Sequence, residues 1–182
     1  MEYEDLKKLL KFSFNEKKIL QKLELPEDAF LPLIFSIRFG GDWSVKKNSR
    51  RLMSIKEKIT KYDDEKKSGC TLERIYLFLN PQILSQEGTV HRLEKCSTKN
   101  ERELVKRPYK VSVNADYILQ AELDPVDLKI HLKKINTPLE FTGPTAYGVS
   151  HEMEHLDQGV VKGKPFWEFQ YVIDYEDKLD YF

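Results

Sequence analysis

Near the C-terminal end the chain reads His151-Glu152-Met153-Glu154-His155, then Leu156-Asp157-Gln158-Gly159. Two histidines four apart on a helix lie on one face, a turn from each other, where both imidazoles can hold one divalent metal. Glu152 adjoins the first of them. It is placed to take the proton of an attacking water and pass it to a leaving group. Apolar Ala146, Tyr147 and Val149 precede the motif, as in a partly buried helix. The bland alternative is a solvated face, since the chain is 33% charged and HExxH arises by chance in such helices. A third ligand is what separates the two.

The third ligand also decides the chemistry. A downstream carboxylate, Glu168 or Glu176, would complete the two-His, one-carboxylate site of a thermolysin-like peptidase. An upstream thiolate, Cys96, would give a mixed sulfur–nitrogen site with a fourth position open. A lone cysteine is otherwise a small buried hydrophobe.

The elements that must position these groups follow from pattern. Residues 3 to 24 place Leu6, Leu9, Leu10, Phe14, Ile19, Leu20 and Leu23 at helical spacing, which predicts one or two amphipathic helices ending before Pro26. Residues 31 to 39 read as a buried strand or a short apolar helix, stopped by Gly40-Gly41. Paired glycines allow positive φ and a close backbone approach to a ligand; a plain turn is the alternative. Residues 51 to 61 and 72 to 79 suit strands around an exposed tip at 63 to 69, and Asn80-Pro81 closes the second. Residues 83 to 98 are mixed, and 99 to 107 read as a polar loop. Residues 109 to 113, 117 to 123 and 128 to 133 alternate as strands of a meander. The stretch 166 to 172 is strand-like. Helix, then strands, then helix, then strand argues an α+β fold: antiparallel sheets packed around the C-terminal HExxH helix, with an N-terminal helix, in one domain over 1–182.

The 182 residues suffice for a sizeable core, at 40% hydrophobic. Thirty basic and thirty acidic residues cancel, so no bulk field favours nucleic acid or a membrane. Lys46-Lys47-Asn48-Ser49-Arg50-Arg51 is the one basic run. Two cysteines, Cys70 and Cys96, are no disulfide framework. The N-terminus lacks the shape of a secretory or transit signal, and no apolar run reaches membrane-spanning length, so the expectation is a cytoplasmic protein.

Several short motifs together resemble the peptide deformylases. In that family an Asn-Pro step is followed by Glu-Gly-Cys-Leu-Ser, an Arg-Pro or Arg-Ala step, strands, and a Gln-His-Glu-x-Asp-His helix. This chain has Leu79-Asn80-Pro81, Glu94-Lys95-Cys96-Ser97-Thr98, Arg102, Arg107-Pro108 and Ser150-His151-Glu152-Met153-Glu154-His155, across roughly residues 72 to 160. The resemblance implies a metal held by Cys96, His151 and His155, with ferrous iron first and zinc, nickel or cobalt also accepted. It implies Glu152 as general base and acid, and an oxyanion donor at the Ser97 N–H. Gly40, Gly41, Arg102 and Arg107 would line the substrate. The implied reaction removes the formyl group from the N-terminal formyl-methionine of new polypeptides by a metal-bound water. The family's Gly-x-Gly-x-Ala-Ala-x-Gln motif is not legible. Anchored on Gly40-Gly41, it leaves Lys46 or Lys47 where the glutamine belongs. Two further readings therefore stand beside the first: a homologue that keeps the metal site but acts on another N-acyl substrate or serves as a binding protein at the ribosome, and an HExxH metallopeptidase.

Overall fold

The computed structural model describes residues 11–96, 99–159, 161, 163–165 and 168–172. In chain order they form α1 (Phe14–Leu23), α2 (Glu27–Phe39), β1 (Trp43–Lys47), β2 (Arg50–Asp63), β3 (Ser68–Leu79), β4 (Gln82–Glu87) and β5 (Val90–Glu94). Then come β6 (Glu103–Arg107), β7 (Lys110–Asn114), β8 (Tyr117–Asp124), β9 (Lys129–Ile135), β10 (Leu139–Thr142), α3 (Gly143–Gln158) and β11 (Lys164–Pro165). The strands make three antiparallel sheets, ordered β1-β2-β3-β8-β9, β10-β7-β4 and β11-β6-β5.

The expected α+β class is corrected. Nearly everything from Trp43 to Thr142 is strand, and the three described helices are short, so the fold is β-rich. The misreading came from residues 83 to 107. The supposed polar loop holds β6, which pairs with β5 from Val90↔Arg107 to Glu94↔Glu103. Of the two alternatives for residues 31 to 39 the helix holds: they belong to α2, and Pro32 sits inside it. No strand covers the described residues 168–172. Residues 3–10, Ser97, the sequence 166–167 and the tail with Glu176 lie outside the described residues.

Alternation in the central sheet sends side chains to both faces. Ile75, Leu77, Leu119 and Ala121 meet Phe30, Leu31, Ile34 and Phe35 of α2. Met53, Ile55, Tyr76, Phe78 and Ile118 meet Val111, Val113 and Phe141 of the second sheet and Ala146, Val149, Met153 and Leu156 of α3. With both faces covered, the middle of β3 is a continuous apolar run. Each fully buried side chain of this size contributes about 1.5–3 kcal/mol. The α3 stripe 146, 149, 153, 156 has helical spacing and turns the opposite face, with His151 and His155, toward β5 and β6. Gly143 opens α3 with φ 58°, and its N–H donates to the Tyr109 carbonyl at 2.8 Å. Gly159 closes it in the left-handed region at φ 75°. Among the described residues no helix is long and apolar enough to cross a membrane.

Candidate functional site

α3 presents His151 and His155 one turn apart, with Nε2 to Nε2 at 3.2 Å. Cys96, just past β5, brings its Sγ to 3.2 Å from His155 Nε2. All three donor atoms lie within 4.8 Å of one another. The spacing on α3 and the choice of Cys96 thus meet at one point, and Cys96 is buried.

The other ring nitrogens are engaged. His151 Nδ1 faces Glu94 Oε2 at 2.9 Å, and His155 Nδ1 faces the Gly159 carbonyl at 3.2 Å. Both partners are acceptors, so each Nδ1 carries the proton and each Nε2 turns a lone pair inward. Two ring nitrogens and a sulfur converge at one point. The 3.2 Å nitrogen separation matches the edge of about 3.3 Å expected for two imidazoles on one tetrahedral ion with bonds of about 2.05 Å. The residues fit a divalent ion of nitrogen and sulfur preference, such as zinc, iron, cobalt or nickel.

Behind His151 lies a buried ion network. Arg107 on β6 donates from Nε to both Glu94 oxygens at 3.1 Å, and from Nη2 to Oε2 at 2.8 Å. Its Nη1 donates to Glu154 Oε1 at 2.6 Å. Burial pushes the Glu94 carboxyl up, but hydrogen bonds from His151 and Arg107 outweigh it and hold the group down to about 2. Burial pulls His151 down, and the same Glu94 bond more than restores it, so the imidazole lies above its ordinary value. His155, without a carboxylate at its ring, is held low by burial.

Glu152 is buried, and its Oε2 accepts from the Ser44 hydroxyl at 2.6 Å. Burial raises its carboxyl above the usual range, against the Ser44 bond. Ser44 arrives on β1 from the Gly40–Gly41 turn, where both glycines have positive φ, 75° and 79°. The Gly40 carbonyl accepts from Trp43 Nε1 and the Gly41 carbonyl from Ser36 Oγ. The two glycines therefore shape the turn that delivers Asp42 and Ser44.

Asp42 is half-buried, and its Oδ1 accepts the Lys56 backbone N–H at 2.7 Å. Its Oδ2 lies against Gly148, where any Cβ would collide with it. Burial raises this carboxyl too. Asp42, Glu152, Arg92, Tyr147, Gly148 and His151 are among the walls of a cleft of about 290 Å³. A larger depression of about 390 Å³ between α1 and α2 is lined by residues such as Leu20, Gln21 and Glu24 and holds no comparable groups.

The two arginines expected at the substrate part company. Arg102 is exposed ahead of β6. Arg107 is sealed at 1% exposure under the Glu94–His151 pair, so it supports the site from behind instead of facing a substrate. Lys46 is exposed, and Lys47 lies 3.6 Å from Asp28. Sequence reasoning missed Ser44, Asp42 and the orienting role of Glu94.

The model of the RimB-like family, described as retropepsin-like aspartic endopeptidase RimB, matches residues 16–134. The chain belongs to this family. No curated protein and no solved structure matches it. The match overturns the peptide-deformylase resemblance. With it go deformylation of formyl-methionine and the expectation of a metal-dependent deformylase. The expectations of a metal hydrolase, of iron or zinc, and of a catalytic HExxH motif conflict with the family description too. The coarser expectation, an enzyme of the hydrolase class, agrees with the family's description. The β-rich architecture fits a retropepsin-like domain. The RimB-like segment includes Asp42, Glu94, Cys96 and Arg107 and ends before α3, which carries His151, Glu152 and His155.

Proposed function

We propose that this protein hydrolyses peptide bonds at the cleft beside His151, with the attacking water activated between the carboxyl groups of Asp42 and Glu152. The observation that carries the reading is that these two carboxyl groups, both raised by burial, line one cleft. Beside the pair, Cys96, His151 and His155 would hold one divalent ion that ties α3 to the end of β5. Glu152 accepts the water's proton as its oxygen bonds to the carbonyl carbon. It then returns that proton to the amide nitrogen as the C–N bond breaks. The Ser44 hydroxyl fixes the carboxylate's rotamer, and burial keeps its basicity high enough for both transfers. Glu94 and Arg107 hold His151 with its Nε2 inward.

The family description supports this reading. Aspartic peptidases activate water between two carboxyl groups that share a proton. Asp42 and Glu152 line one cleft, and the charge of Asp42 helps raise the Glu152 carboxyl.

One experiment tests it. Metal content per chain is measured alongside peptide-library cleavage by wild type, Asp42→Asn, Glu152→Gln and Cys96→Ser. The reading expects cleavage that disappears in Asp42→Asn and Glu152→Gln and persists in Cys96→Ser, which loses the ion. Cleavage lost in Cys96→Ser but kept in Asp42→Asn refutes it, and so does a wild type that cleaves no peptide.

A further inference from the structure

The exits of β5 and α3 face each other. Cys96 follows β5, and its carbonyl accepts from the Lys99 N–H at 3.0 Å. His155 lies in the last turn of α3, and its Nδ1 faces the carbonyl of Gly159, where the helix ends. Lys99 bridges the two exits: its ammonium donates to Glu103 and to the Val161 carbonyl, each at 2.6 Å. Cys96 Sγ and His155 Nε2 meet at 3.2 Å, with His151 Nε2 alongside. Among the described residues this is the only group of three His, Cys, Asp or Glu donors within 4.8 Å of one another. It contains no carboxylate, since Glu94 lies behind His151 and Glu152 accepts from Ser44. One sulfur and two nitrogens suit a transition ion and are poor for magnesium or calcium, which take oxygen. The outer contacts have the form that orients ligating histidines: each Nδ1 faces an acceptor, and Glu94 is itself held by Arg107.

We propose that one divalent transition ion on Cys96, His151 and His155 is a structural clasp, which fastens the end of α3 to the exit of β5 and excludes magnesium and calcium. It deepens the ion's place in the peptidase reading and is independent of the chemistry of the carboxyl pair. The first part of α3 has other anchors, Ala146, Val149 and Met153 in the core and Glu152 on Ser44. Past Leu156 the helix is exposed at Asp157, Gln158 and Gly159. The Asp157–Arg51 ion pair there is on the surface, where such pairs contribute little. The clasp therefore acts on the end of the helix. An ion that binds only the folded chain, free at about a hundred times its dissociation constant, raises the melting temperature of a chain this long by about 5–11 °C.

The test adds cobalt(II), whose thiolate charge-transfer absorption reports sulfur ligation, to metal-free wild type, Cys96→Ser and Cys70→Ser. The absorption should saturate at one ion per chain in wild type and Cys70→Ser and be absent in Cys96→Ser. In wild type the ion should raise the melting temperature by about 5–11 °C at about a hundredfold excess over its dissociation constant, and slow amide exchange across 155–159. Magnesium and calcium should do neither; this arm needs no variant, so it stands even where Cys96→Ser fails to fold. No thiolate absorption in wild type, absorption that survives in Cys96→Ser, or binding that moves neither melting nor exchange overturns the clasp. So does an equal effect of magnesium. Peptide cleavage by a wild type that binds no ion removes the clasp and leaves the peptidase reading standing; a clasp-bearing chain that cleaves no peptide does the reverse.

Discussion

Arg107→Met tests whether the buried ion network governs the site. The guanidinium is 1% exposed and holds two carboxylates, Glu94 and Glu154. Its loss leaves Glu94 packed in the interior with only His151 and Arg92 beside it. Breaking a buried pair from one side costs about 3–5 kcal/mol, because an uncompensated charge remains. For a chain of this length each kcal/mol moves the melting temperature by about 2–4 °C, so Arg107→Met should melt about 6–20 °C lower. The double variant Arg107→Met with Glu94→Gln removes both charges and should recover much of that loss. Differential scanning calorimetry of the four proteins of this cycle gives the coupling directly. Cation affinity supplies a second readout. Loss of the carboxylate that orients a ligating imidazole weakens affinity about 10–100-fold. A single variant that melts within about 2 °C of wild type, or a double variant no more stable than the single, would refute the reasoning.

Other outcomes follow from separate contacts. Ser44→Ala should lower kcat several-fold with KM within about twofold in steady-state peptide cleavage, and Ser44→Thr should retain most of the rate; a change confined to KM would contradict the positioning of Glu152. Gly148→Ala drives a methyl group into Asp42 Oδ2, so it should cut peptide cleavage about as far as Asp42→Asn does while leaving metal content near one per chain. Tyr76 is buried, with its hydroxyl 3.1 Å from Glu57, and burial first, then the Glu57 charge, push its pKa up to about 12. Folding therefore gains proton affinity relative to an unfolded tyrosine near 10. That stability is present below pH 10 and is lost between about 10 and 12, by about 2–3 kcal/mol. Denaturant titration across that range should show the fall, and Tyr76→Phe should flatten it.

That His151, His155 and Cys96 come together was legible because i, i+4 spacing is local and cysteine is scarce in this chain. The strand pair β2–β3 was legible for a similar reason: its alternation and turn residues lie within one hairpin. What escaped depends on distance or context. Ser44 and Glu152 are 108 positions apart, so no window contains both. β6 hid because its inward positions are Val105 and Arg107, and a buried arginine makes a strand read as a polar loop. α2 stayed open between strand and helix because it is buried from Ala29 to Ser36, which removes the periodicity that distinguishes the two. The deformylase resemblance rested on short motifs near ligands, while the family match lies on residues 16–134 and leaves the HExxH helix out.

The β2–β3 hairpin is covered along only part of its length. Leu52 to Ile55 opposite Tyr76 to Leu79 lie between α2 and α3, whereas most residues toward Asp63 and Ser68 are exposed. One ladder thus joins two regions of unequal protection. Amides in the covered half should exchange with deuterium only when the whole molecule unfolds. Those near the tip should exchange by local opening, faster and with little dependence on denaturant. The hairpin would report global and local free energies from the same pair of strands.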